Sequence, residues 1–177
     1  MSYNYRQVAS FVSSDFGETW KGPYAIIPPP LASDQNDFAR VTFATGKFIV
    51  TWESNSRFNS TILGNSAVSA AVSHSNDGKI WSSPVMVNIP DSLTEPLREE
   101  WDPIPFAIEN GSGGADYFVM FQRHEIGDMV YCRSTDLITW SFPIPLVYLP
   151  PNKANYTSAS SHGYNFLPDV AVDGNHP

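Results

Sequence analysis

The chain has 177 residues, of which 42% are hydrophobic, with a formal net charge of −8 and a single cysteine, Cys132. So acidic a chain, with a sequence pI of about 4.7, is a poor match for nucleic acid or an anionic membrane surface. One thiol excludes an internal disulfide, and no apolar run approaches the length of a membrane span.

The first strand signal is the alternating stretch 6–12, which closes on Ser13-Ser14-Asp15-Phe16-Gly17-Glu18-Thr19-Trp20. A hairpin follows, with strands over 40–44 and 47–52 joined by Thr45-Gly46. The β-branched run 67–72 leads to a second closing phrase, Ser75-Asn76-Asp77-Gly78-Lys79-Ile80-Trp81, and a short apolar segment over 84–87 returns from it. Strands over 103–108 and 117–122 flank a turn-rich 109–116. Pro103 and Pro105 fit the start of a strand or a sheet edge, not a central ladder position. The strand 128–132 ends in a third phrase, Ser134-Thr135-Asp136-Leu137-Ile138-Thr139-Trp140, and 145–148 returns. The segment 167–172 opens one more strand.

Each phrase has the chemistry of a tight turn: Ser and Asp oxygens that accept from amides just ahead, and an aromatic residue that anchors the return strand. Trp20, Trp81 and Trp140 recur about 60 residues apart, so one structural unit is repeated. Four antiparallel strands per unit is the make-up of a β-propeller blade. The expected fold is therefore all-β, with about three blade equivalents. These are a half blade over 3–28, blades over 38–89 and 101–149, and the start of another over 165–177. A partial ring is either a piece of a larger propeller or one closed by self-association of several chains.

The first phrase resembles the Asp-box, Ser-x-Asp-x-Gly-x-Thr-Trp, of the repeats in sialidases (neuraminidases) and their relatives. Its elements here are Ser13, Asp15, Gly17 and Trp20. The second (Ser75, Asp77, Gly78, Trp81) and third (Ser134, Asp136, Trp140) are one residue shorter, and the third resembles a turn of arabinanase-type propellers. The resemblance implies a propeller and, more loosely, an exo-acting glycoside hydrolase with a carbohydrate substrate.

In such a blade the Asp-box turns lie at one end, and the loops from second to third strand and from blade to blade lie at the other. Most of the charge falls in the second set. Arg98-Glu99-Glu100-Trp101-Asp102 is the densest group, with Arg123 and Glu125 in the same blade and Arg40 and Glu53 in equivalent places of the preceding one. Paired carboxylates, one protonated and one ionised, are what glycoside hydrolysis uses. Glu100, Asp102 and Glu53 are thus the catalytic candidates, and Arg40, Arg98, Trp101, Arg123 and Glu125 the substrate-binding ones. Any one of them is also readable as a solvated loop charge or half of an ion pair. The resemblance implies arginines that hold a substrate carboxylate, for which Arg40 and Arg123 are placed. The family's Arg-Ile-Pro signature is absent at Arg40-Val41-Thr42, and Trp101-Asp102-Pro103 stands where exo-arabinanase propellers carry Trp-Glu-Pro.

The four histidines lack metal-ligand spacing, no cofactor motif is present, and the Asp-box aspartates are expected to bond turn amides instead of a metal. Residues 1–6 lack the apolar stretch of a signal peptide, whereas sequons at Asn59, Asn110 and Asn155 point to an extracellular chain. The competing expectation is a non-catalytic propeller that binds glycans or a protein, with Trp101, Phe58 and Tyr164 as stacking faces.

Overall fold

The computed structural model describes residues 7–26, 36–54, 69–87, 100–123 and 128–146; at 100, 101, 123 and 128 it describes the backbone alone. The expected strand over 167–172 lies outside them, as do Arg98, Glu125, Phe58 and Tyr164. All regular structure among the described residues is β. The strands are β1 (Ala9–Val12), β2 (Lys21–Ala25), β3 (Asn36–Ala44), β4 (Lys47–Ser54), β5 (Ser69–Ser75), β6 (Val85–Met86), β7 (Glu100–Glu109), β8 (Ala115–Arg123), β9 (Asp128–Ser134) and β10 (Ile144–Pro145). They form a two-stranded sheet β1-β2 and two antiparallel four-stranded sheets, β3-β4-β5-β6 and β7-β8-β9-β10. Each four-stranded sheet meanders in chain order, which is the blade arrangement of a partial propeller. Pro103 and Pro105 sit in β7, an edge strand, where a missing amide breaks no central ladder.

β4 and β5 explain how the sheets stack. Both are buried along nearly their whole length, so both faces of this central pair of strands are covered. The pleat sends successive side chains to opposite faces. Ile49, Ala70 and Val72 join Tyr117, Val119, Phe121, Val130 and Cys132 of the third sheet in one apolar cluster. Their neighbours Val50, Trp52 and Ala71 join Val8 and Ile26 beside the first sheet in another. Polar links reinforce the stack. At one end of the sheets, Thr45 Oγ1 lies 2.8 Å from the Tyr117 hydroxyl and Thr45 N donates to Glu109 Oε1. Trp81 Nε1 donates to Ser10 Oγ, and Ser10 Oγ donates to Gly78 O, which ties the first sheet to the turn of the second.

The three Ser-Asp-Trp turns share one wiring. The serine hydroxyl donates to the aspartate, at 2.7 Å for Ser13–Asp15, 3.0 Å for Ser75–Asp77 and 2.9 Å for Ser134–Asp136. The aspartate accepts amides further round the turn: Thr19 N in the first, Lys79 and Ile80 N in the second, Ile138 and Thr139 N in the third. Trp20 and Trp81 each return an indole N–H to the glycine carbonyl, Gly17 O and Gly78 O. Gly17 and Gly78 have positive φ, and the third turn puts Leu137 (φ 66°) in that position. A leucine is strained there. Its side chain is only 1% exposed, within the cluster shared by the second and third sheets, so burial offsets the strain.

These bonds favour the ionised aspartates. Thr19 and Ser13 hold Asp15 down to about 2, and the Thr139 and Ile138 amides do the same for Asp136. Depressed folded values mean that this stabilisation is complete above the ordinary carboxylate range, about 4, and is lost as pH falls towards 2. Acid titration of chemical stability should therefore fall through that window, and Asp136→Asn should lower stability at pH 7 while flattening the fall. Trp52→Ala, at a fully buried position, should cost about 3–5 kcal/mol in urea unfolding. Ile80→Ala, on an exposed turn, should stay within about 0.5 kcal/mol.

Candidate functional site at the bulged rim

The end of the sheets opposite the Ser-Asp-Trp turns is shaped by two matching irregularities. Between Asp37 and Arg40, β3 spends two residues against one on β4; between Trp101 and Ile104, β7 does the same against β8. This is a β-bulge, which bends an edge strand and re-aims its side chains. The first bulged residue is left-handed in both strands, Phe38 at φ 54° and Asp102 at φ 53°. Arg40 therefore lies beyond the bulge, inside a strand that begins at Asn36, where the sequence places it at the strand's head.

The start of β3 is fixed by a buried polar knot: Asn36 Oδ1 accepts from Trp52 Nε1 at 3.0 Å and from Ser54 Oγ at 2.8 Å. On the opposite face of β4, Thr51 Oγ1 donates to Pro103 O at 2.6 Å, and Glu53 Oε1 accepts the amide of Asp102 at 2.7 Å. Glu53 and Asp102 are thus brought together across two sheets, through a carboxylate that fixes the strained backbone carrying the other carboxyl. Thr51 and Asn36 were not singled out by sequence. Their types and neighbours are ordinary for strands, and only the pairing across sheets gives them their part.

Asp102 is buried, and its Oδ1 has no hydrogen-bond partner. Burial pushes its carboxyl above the ordinary value, and the charge of Arg40 pulls the other way by a smaller amount. Arg40 is half-buried with its Nε likewise unpartnered. The backbone of Glu100 opens β7 in register with Arg123, and that of Trp101 with Gln122, so these positions share the rim with Asp102. Arg98 and Glu125 lie outside the described residues. Among the described residues no group of three or more His, Cys, Asp or Glu side chains is placed to hold a metal ion.

Such an arrangement fixes a carboxyl whose burial favours its neutral form next to a cation and beside a second acidic position. Its dependence on Glu53 is testable. Glu53→Ala leaves the buried Asp102 amide without an acceptor and should cost about 1–3 kcal/mol. Glu53→Gln keeps an acceptor oxygen and should cost clearly less; urea denaturation of both variants measures the difference.

No protein-family model matches the chain, and no curated protein matches it in sequence. Among solved structures, the chain is similar to an α-L-arabinanase of Penicillium chrysogenum complexed with arabinobiose, with 22% identity and a TM-score of 0.49. The match covers 81% of this chain and 42% of that structure, so the chain spans less than half the length of the protein it matches.

Proposed function

We propose that this chain carries part or all of the active site of a glycoside hydrolase, of the exo-acting sialidase or arabinanase kind that its Ser-Asp-Trp turns resemble. The observation that carries the reading is the Asp102 carboxyl: buried, shifted towards its protonated form, unpartnered at Oδ1, and held in place by Glu53. A carboxyl whose burial favours its protonated form is suited to act as a general acid.

In this scheme Asp102 gives its proton to the glycosidic oxygen as the bond to the anomeric carbon breaks. Glu100, two residues earlier on β7, is the second carboxylate. It either attacks the anomeric carbon or takes the proton of the water that does. Glu53 orients Asp102 through its backbone, and Arg40 tempers the acid's affinity for its proton while offering a donor to the substrate. Arg98, Trp101, Arg123 and Glu125 are proposed to contact the sugar.

Hydrolysis of chromogenic α-sialosides and α-L-arabinofuranosides tests the proposal. Asp102→Asn should lower kcat by about 100-fold or more, the usual worth of a positioned acid. The acid must be protonated to work, so wild-type activity should fall as pH rises through the raised Asp102 value, and the variant should lose that limb. A chain that binds glycans without turnover, unaffected by Glu100→Gln, would instead be a non-catalytic glycan-binding propeller.

A further inference from the structure

Five non-glycine residues have positive φ among the described residues: Phe16, Thr45 and Leu137 in turns, Phe38 and Asp102 in the bulges of β3 and β7. Most of these have a local reason. Asp tolerates the left-handed region because its short polar side chain suits it, and the Asp102 backbone is fixed by Glu53. Leu137 is repaid by burial. Phe38 has neither compensation: like Phe16 in the first turn, it is a bulky aromatic in a left-handed backbone with an exposed side chain, 57% for Phe38, but of the two only Phe38 lies at the bulged rim. Glycine would be the easier residue to place at this φ.

Strain that the surrounding packing does not repay is a pointer to a job done for something outside the fold. The location of Phe38 narrows that job. It takes the same place in its bulge that Asp102 takes in the next one, at the same rim. It lies next to Asp37, which pairs in register with Glu53, and two residues before Arg40. An exposed apolar ring, one residue from a carboxylate and two from a guanidinium along the strand, matches a sugar, whose ring presents an apolar C–H face and a periphery of hydroxyls. Ligand sites are built this way, from apolar surface with a few polar groups that fix orientation.

We propose that Phe38 is a stacking platform for a sugar ring at the rim, a specificity-determining contact for the carbohydrate. The inference rests on the carbohydrate reading above. It gives Phe38→Gly an unusual signature, because removing the ring and the strain together should stabilise the fold while weakening the ligand.

The test uses the full 177-residue chain with p-nitrophenyl α-L-arabinofuranoside and p-nitrophenyl α-N-acetylneuraminide as probes, followed by turnover and by saturation-transfer NMR. For whichever probe the wild type takes, Phe38→Gly should raise KM or Kd at least tenfold with a smaller effect on kcat. Phe38→Trp should keep binding within about threefold, and the urea midpoint of Phe38→Gly should rise. Unchanged KM and Kd in Phe38→Gly would overturn the platform and leave the glycosidase reading standing. A lowered urea midpoint would likewise overturn it, by showing that the ring is packed against protein. A wild type that neither binds nor cleaves either probe would overturn both.

Discussion

The structure depends on a constraint set by β4: its two faces serve two different neighbours. Ile49, Thr51 and Glu53 face the third sheet, whereas Val50, Trp52 and Ser54 face the first sheet or close on Asn36. A slip of one residue would exchange the two sets. Glu53 would leave the Asp102 amide, Thr51 would leave Pro103, and Trp52 would lose Asn36. Core register and rim geometry are therefore one decision. The strand that stacks the sheets is also the strand that positions the acidic rim.

The two ends of the sheets are built on different principles. At the turn end, aspartates are held ionised by hydroxyls and amides, which their oxygens bond in closing the turn. At the rim, Asp102 is held by its backbone while its carboxyl is withdrawn from water and left short of a partner. The same residue type thus acts as structural glue where its oxygens are satisfied and as a candidate reagent where one is not. Four buried side-chain atoms lack partners among the described residues. Two of them, Arg40 Nε and Asp102 Oδ1, lie at the rim, on β3 and β7, the edge strands that open the two four-stranded sheets.

Much of the fold was legible in the sequence because the turns advertise themselves. Ser, Asp and Trp at fixed offsets name the bend, and the apolar alternation before each names the strand that enters it. The four-strand units and their order followed from that. The bulges were not legible. Glycine is the usual marker of a left-handed strand position, and here the positions hold Phe38 and Asp102. Without the bulge, the sequence pattern starts β3 at Arg40, four residues late, because Asn36 and Asp37 read as loop residues. Their strand conformation is fixed by Trp52, Glu53 and Ser54 on the neighbouring strand. Likewise Glu53 was legible as an acidic residue at a strand end, but its bond to the Asp102 amide joins residues 49 positions apart. No local pattern encodes such a pair.

The Glu53–Asp102 bond forms only if sheet stacking, strand register and both bulges occur together. Amide hydrogen exchange of Asp102 by NMR tests it. A buried, carboxylate-bonded amide should exchange with the slow core amides of β4 and β8 and lose that protection in Glu53→Ala. Exchange as fast as that of the exposed Ser112 turn, or protection indifferent to Glu53, would contradict it.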